Sequence, residues 1–426
     1  MHSQRCPTCS PCGRLGKPVL IEVKPSSDYK AGLAQLTDQL KGRGPAIDVA
    51  PALFSWLKGR ELSTPALVFD LNTITARMQA LAQTAANQNI ACLLAVKSCP
   101  REPLLTTAQQ HLAGFDVSNL AEYQALPADL SGKTVSLTSP QLTKDYYLFA
   151  ARGNRLVVTV DSIAQCVNYL QQGAPFPYVL RIQSGQLLPT SDAAYTNCSR
   201  FGFTAPMLEQ LLQRPDVQAQ PPCGWHVHHG SEINSAATYQ FLIAGLAKLG
   251  AQLPEPPAII NLGGGWHSVE KQQLNDLFAL ARKVFPEPCS VFIEPGQWFG
   301  KGAGLAVGEV VNKSGGDDNL GCVLNLSMDC HLRWSSPRLL VPVQLPALKF
   351  AKVYLGGASC YEADSLGRFM LPYRQDLAHD TSLGLGCRVL LSNISLYSLA
   401  WNQGFNGIAP ATEYWLRNGL ALEPTA

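Results

Sequence analysis

Between residues 64 and 300 the chain alternates short apolar runs with helical segments, and this alternation limits the possible folds more than any other feature. The runs are "ALVFDL", "ACLLAVKS", "GFDVS", "TVSLTS", "RLVVTVD", "YVLRIQ", "GWHVHH", "AIINLGGG" and "SVFIEPG". The segments between them, such as "SIAQCVNYLQQ" and "SAATYQFLIAGLAKLG", carry apolar residues three and four apart, the spacing of a helix that buries one face. Repeated βα units imply a parallel sheet. So many in one stretch favour a closed (β/α)8 barrel of the TIM type over an open doubly wound sheet. A barrel uses one strand fewer than the candidates, so "ALVFDL" is expected in the neighbouring domain.

After about residue 300 the pattern changes to "GLAVGEVVNKSG", "GCVLNLSMD", "LKFAKVYLGG" and "CRVLLSNISLYSLA", runs punctuated by Gly, Asn and Pro with few helical stretches. The expected organisation is a disordered tail over residues 1–17, a segment 18–63 whose "PVLIEVK" strand joins the β domain, a barrel over 64–300, and an all-β sandwich or barrel domain over 301–426. With 46% hydrophobic and 15% charged residues in 426, the chain can bury the cores of two domains. A net charge of +2 without long basic runs gives no electrostatic footprint for nucleic acid. No apolar run approaches the roughly 20 residues needed to span a bilayer, and the polar N-terminus lacks a signal peptide's apolar core. No membrane association is expected, and the expected location is the cytoplasm. The 13 cysteines, odd in number and scattered, suggest reduced thiols rather than a disulfide framework. Cys6, Cys9 and Cys12 lack a fourth ligand at a recognisable spacing, so no metal site is expected there.

The chemistry-bearing residues fall at the C-terminal ends of the strand candidates, where a barrel builds its active site. Lys97 ends the most hydrophobic run; His228, Gly230 and Ser231 end another; Gly263, Gly264 and Gly265 end a third; Glu294 ends a fourth. Taken singly, each has a plainer explanation: a snorkelling lysine, polar strand ends, a tight glycine turn, a carboxylate before a Pro-Gly turn. Their conjunction carries more. A buried unpaired ammonium is costly, so Lys97 is paired, neutral or chemically consumed. A lysine, an aromatic ring, a glycine cradle for an anion and a carboxylate are the parts that hold pyridoxal phosphate.

These motifs resemble those of the fold-type III pyridoxal-phosphate amino acid decarboxylases, the ornithine, diaminopimelate and carboxynorspermidine decarboxylase family, over nearly all of residues 64–410. The resemblance implies an alanine racemase-like barrel with a C-terminal β domain, acting as a homodimer with shared sites. "AVKS" would make Lys97 the residue that carries the cofactor. "HHGS" would set His228 on the ring face and Ser231 near the phosphate, with Gly263, Gly264 and Gly265 of "LGGG" as the phosphate loop. "EPG" would place Glu294 at the pyridine nitrogen. Asp116 in "GFDVS" and Arg181 in "VLRIQ" match neighbouring family positions. "GGASCYEAD" would offer Cys360 to the partner subunit's site as the proton donor, and Tyr397, before Phe-Asn-Gly, would contact the phosphate.

The implied reaction is decarboxylation of an amino acid, a diamino acid or a carboxylated polyamine or siderophore precursor. Tyr361, Glu362, Asp364 and Arg338 stand as substrate-binding candidates. Two departures bear on this. Gln297 follows "EPG" where many members have Arg, which removes one charge-assisted phosphate contact. Tyr361 follows the cysteine where members that grip a distal amine often carry an acid. The rival readings are a racemase, in which an Arg would replace Glu294, and a non-catalytic pyridoxal-phosphate carrier, which has no use for Cys360 and its acidic loop.

Overall fold

The computed structural model describes residues 21–22, 56–57, 59, 62–142, 145–189, 199–230, 235–314, 320–340, 349–373, 383–418 and 420–422. The chain divides into two compact units. One runs from Val68 to Gly304 and takes in Ile394–Trp401 and the segment from Glu413; the other comprises residues up to Leu67, Leu305–Asn393 and Asn402–Thr412. Residues 1–17, with Cys6, Cys9 and Cys12, lie outside the described residues, as does Ser231.

The first unit is a closed barrel of eight parallel strands: β1 Ile90–Ala95, β2 Gly114–Val117, β3 Thr134–Thr138, β4 Arg155–Val160, β5 Tyr178–Ile182, β6 Gly224–Val227, β7 Ile259–Asn261 and β8 Ser290–Ile293. These are the eight runs expected for it. The ninth candidate, Ala66–Asp70, forms a strand that is not part of the barrel. Pairing is sequential, Leu93 with Gly114 and Phe115 with Val135, until Val291 meets Ile90 to close the ring.

Alternation along a strand puts residues i and i+2 on the same face, and this stratifies the barrel. Leu93, Val157, Val179, Ile259 and Phe292 form one buried apolar cluster, each side chain contributing about 1.5–3 kcal/mol by leaving water. Two residues further along four of these strands come Thr159, Arg181, Asn261 and Glu294. The packed apolar plug is therefore followed by a polar layer at the strands' C-terminal end.

Several of the connecting helices start at side-chain caps. Asp70 accepts the Asn72 amide at 3.0 Å ahead of Leu71–Ala86, and Ser235 accepts the Thr238 amide at 3.2 Å ahead of Ala236–Gly250. Ala236–Gly250 buries Thr238, Tyr239, Leu242, Ile243 and Leu246, a stripe with helical spacing. Ile394–Trp401 is held within this unit by Arg101, whose guanidinium donates to Glu413 Oε2 at 2.7 Å, Glu413 Oε1 at 2.8 Å and Leu399 O at 3.1 Å. Such a two-pronged ion pair fixes direction as well as distance.

The second unit is built on a mixed sheet. Gly304–Ser314 pairs antiparallel with Leu320–Leu324, which pairs parallel with Lys349–Gly356, itself antiparallel to Ser365–Tyr373. Arg388–Ile394 lies beside Gly304–Ser314 and the short Arg338–Leu339 strand. Ile21–Glu22 pairs antiparallel with Phe350 and Lys349. His331 is wholly buried here, with Nδ1 accepting the Ser327 amide at 3.1 Å and Nε2 donating to Ala409 O at 3.0 Å, so it braces the loop after Leu320–Leu324. Among the described residues no helix is long and apolar enough to cross a membrane, and none of the nine cysteines there forms a disulfide.

Candidate active site

Strand β1 ends in a single 3-10 turn, Val96–Ser98, which lifts Lys97 out of the apolar run. Its side chain stays 43% exposed, and Nζ stands 3.9 Å from Asp116 Oδ2 at the neighbouring strand. Asp116 is buried, and neither of its oxygens has a hydrogen-bond partner among the described residues. Burial, and then the charge of Glu294, push its pKa well up, against the pull of Lys97. Burial alone would lower the Lys97 ammonium, but Asp116, Tyr397 and Glu294 outweigh it and the net shift is upward. In the free protein, then, Lys97 is not the depressed amine that desolvation on its own would produce.

Glu294, at the end of β8, is 3% exposed and richly supplied with donors. Ser136 Oγ donates to Oε1 at 3.0 Å, Asn261 Nδ2 to Oε1 at 2.5 Å, and His226 Nε2 stands 3.4 Å from Oε2. Burial pushes this carboxyl up, but the hydrogen bond from His226, the Lys97 charge and the hydrogen bond from Asn261 more than reverse it, and the net shift is downward. Two buried carboxyls therefore part ways. Glu294, with three donors, keeps the charge; Asp116, with none, holds a proton more readily.

His228 lies two residues beyond His226, and its Nδ1 accepts the Gly264 amide at 3.0 Å. That leaves Nε2 as the protonated nitrogen of a neutral ring, in keeping with a pKa driven well below 6.5 by burial and by nearby Lys97 and Arg181. His229 points elsewhere, its Nδ1 3.1 Å from Ser184 Oγ. The glycine loop is sterically compulsory. Gly263 has φ 62°, and a Cβ on it would fall 2.4 Å from Val227 O; one on Gly264 would fall 2.8 Å from Glu294 O. Asn261 Oδ1 and the Trp266 indole secure this loop by accepting from Gly263 N at 2.9 Å and donating to Gly263 O at 2.8 Å.

Lys97, His228, Gly264, Gly265, Trp266, His267, Glu294, Gln297 and Tyr397 line one cleft. Tyr397 reaches it from Ile394–Trp401, its hydroxyl 3.4 Å from where a Gly296 Cβ would lie. Arg181 is set beside it, 3.6 Å from Asp161 and stacked over the Phe201 ring at 4.6 Å. Cys360, Tyr361, Glu362, Asp364 and Arg338 belong to the other unit. Cys360, Tyr361, Glu362 and Arg338 are exposed. Asp364 is buried, its carboxylate accepting the Met328 amide at 2.7 Å, the Ser359 amide at 3.0 Å and the Ser359 hydroxyl at 2.6 Å. Its carboxylate thus shapes the loop that carries Cys360.

Sequence reasoning passed over Ser136, His226 and Asn261. The signal was present: Asn261 and His226 stand two residues before Gly263 and His228, hence on the same strand face.

The family model described as "Pyridoxal-dependent decarboxylase, pyridoxal binding domain" matches residues 71–300. A diaminopimelate decarboxylase from Deinococcus radiodurans is 25% identical over 321 residues, covering 72% of this chain and 80% of its own. Among solved structures, the arginine decarboxylase of Paramecium bursaria Chlorella virus bound to agmatine has a TM-score of 0.71 at 18% identity, covering 85% of this chain and 99% of its own. The lysine/ornithine decarboxylase of Vibrio vulnificus complexed with cadaverine has a TM-score of 0.69 at 17% identity, covering 88% of this chain and 100% of its own. The residues present fit pyridoxal phosphate. An accessible amine beside an unpartnered buried carboxylate can take up its aldehyde end, an ionised carboxylate can face a pyridinium, and a loop closed to any Cβ can receive an anion. With the family model matching more than half of its 426 residues, the chain belongs to the pyridoxal-dependent decarboxylases, amino acid decarboxylases that use pyridoxal phosphate.

Proposed function

We propose that the chain removes the α-carboxylate of an amino acid with a nitrogen-bearing side chain, a diamino acid or a carboxylated polyamine or siderophore precursor, giving an amine and CO2. The observation that carries this reading is the cleft itself, where an accessible Lys97 and an ionised Glu294 meet at one glycine loop. The relatives named above add to it, since their names point to diaminopimelate, arginine, lysine and ornithine. When bound, pyridoxal phosphate supplies the conjugated ring that takes up the electron pair left as the bond to the carboxylate breaks.

In this reading Lys97 holds the cofactor's aldehyde carbon and gives it up to the substrate amine. Glu294 keeps the proton on the ring nitrogen. His228, being neutral, covers the ring face without adding a positive charge against it. Gly263, Gly264, Gly265, Gln297 and Tyr397 receive the phosphate, with Ser231, and Asp116 and Arg181 flank the cofactor. Cys360 from a partner subunit returns a proton to the α-carbon; Tyr361 and Glu362, on a loop shaped by Asp364, meet the side chain together with Arg338. The free cysteines suit a reducing compartment such as the cytoplasm.

The test is CO2 release measured across ornithine, lysine, arginine, diaminopimelate, carboxynorspermidine and carboxylated siderophore precursors, with Lys97→Ala as control. One substrate turned over by the wild type and not by Lys97→Ala is expected. Racemisation without CO2 release, or cofactor attached at a different lysine, would sink the assignment.

A further inference from the structure

A carboxylate offers about four lone-pair sites. On Glu294, Oε1 is filled by Ser136 and Asn261, and Oε2 takes His226 Nε2, which leaves one site for the cleft that Glu294 lines. We propose that His226 is a positioning residue: its neutral, Nε2-protonated ring holds Glu294 ionised with one acceptor site open, and so decides that a proton shared with a bound cofactor rests on the ring nitrogen. The inference rests on the reading of the cleft given above and deepens it.

The geometry dictates the state of His226. It is 1% exposed, and its Nδ1 is buried without a hydrogen-bond partner among the described residues. A second ring proton would have to sit on that nitrogen, in the interior and without an acceptor, which is expensive. The ring therefore keeps one proton. An ionised carboxylate only accepts, so the proton lies on Nε2, toward Glu294. Burial does push His226 below its ordinary 6.5, against the pull of Glu294. A neutral His226 offers Glu294 no full charge, so its part is the hydrogen bond, which acts with the donors Ser136 and Asn261 and with the nearby Lys97 charge to hold the carboxylate ionised.

The consequence concerns the proton opposite Glu294. A ring nitrogen and a carboxylate in contact contest one proton, and the stronger base takes it. Three donors make Glu294 a weak base. Without His226 it becomes a stronger one, the proton moves to the carboxylate, and the ring loses the charge that makes it an electron sink. His226 need touch neither cofactor nor substrate to do this. Asn261 couples the same clamp to the anion loop, because its Oδ1 accepts from Gly263 N while its Nδ2 donates to Glu294.

His226→Phe removes the donor while keeping a buried ring; His226→Gln restores an N–H. The primary readout is the 15N resonance of pyridoxal phosphate labelled at the ring nitrogen and loaded into each protein, alongside kcat and KM. The wild type is expected to show a protonated nitrogen. In His226→Phe the resonance moves toward the unprotonated position, and kcat falls about ten- to a hundredfold with little change in KM, the factor one hydrogen bond to a charged group is worth. His226→Gln recovers most of both. A fully protonated nitrogen with wild-type kcat in His226→Phe overturns the proposal. Should that variant not fold, 15N NMR of histidine-labelled wild type without cofactor decides it: His226 must be the neutral Nε2–H tautomer, and an Nδ1–H or doubly protonated ring overturns the clamp. Failure of the wild type to hold the cofactor on Lys97 would instead overturn the reading of the cleft, and the tautomer measurement would still judge His226.

Discussion

Replacing His228 by Asn tests the electrostatics of the cleft before any cofactor binds. His228 Nδ1 accepts the Gly264 amide at 3.0 Å, and burial, then Lys97 and Arg181, keep its pKa well below 6.5. In the unfolded chain the same ring gains a proton as the pH falls through 6.5; in the folded chain it does not. A depressed folded pKa means stability that is complete above the unfolded value and drains away below it. Each pH unit in that window is worth about 1.4 kcal/mol, so going from pH 7 to pH 5 removes up to about 2 kcal/mol through this one ring. The figure is a ceiling, because the ring is partly open to the cleft. Asn offers an oxygen to the Gly264 amide and does not titrate. Urea unfolding of the barrel in cofactor-free wild type and His228→Asn, at both pH values, should show the wild type losing up to about 2 kcal/mol more. Other titrating groups, His226 among them, are common to both proteins and drop out of the difference. Equal losses would refute a neutral, amide-bound His228.

Two further outcomes follow from the proposed function. If Cys360 serves the partner's cleft, mixed dimers of Lys97→Ala and Cys360→Ala place both lesions in one site and leave the other whole, restoring up to about half the activity per mixed dimer; no restoration despite proven subunit exchange would make the site intrachain. Gln297→Arg adds a charged donor at the glycine-loop end of the cleft, so the preference for pyridoxal phosphate over pyridoxal in equilibrium titration should rise about tenfold. An unchanged preference would show that residue 297 does not face the phosphate.

The barrel was legible because each strand is a compact apolar run followed by a helix with its own stripe, and local pattern suffices for that. What the pattern did not reveal is which strand face turns inward. Ser136, His226 and Asn261 sit inside apolar runs, and only closure of the ring shows that they share the interior with Glu294. The C-terminal boundary was harder still. Residues 301–426 read as one β domain, yet Ile394–Trp401 and the segment from Glu413 cluster with the barrel. The anchor there is Arg101 on Glu413, a pairing of residues 312 apart that no local pattern announces.

The same long-range logic explains the lysine at the end of the apolar strand. An ammonium is tolerated there because the 3-10 turn leaves it 43% exposed and because three acidic groups outbid its desolvation. Attachment of an aldehyde nevertheless requires the unprotonated amine. In water an ordinary lysine at 10.5 and an ordinary aspartate at 3.8 lie too far apart for one to deprotonate the other. Burial and the charge of Glu294 raise Asp116, so it holds a proton more readily than an ordinary aspartate, although Lys97 is raised as well. Glu294 cannot play this part, since its three donors fix it as the ionised partner. In the proposed function the two carboxyls are thus specialised by their surroundings: Asp116, raised by burial and by the charge of Glu294, is the readier to hold a proton beside Lys97, and Glu294, given three donors, leaves the proton on the ring.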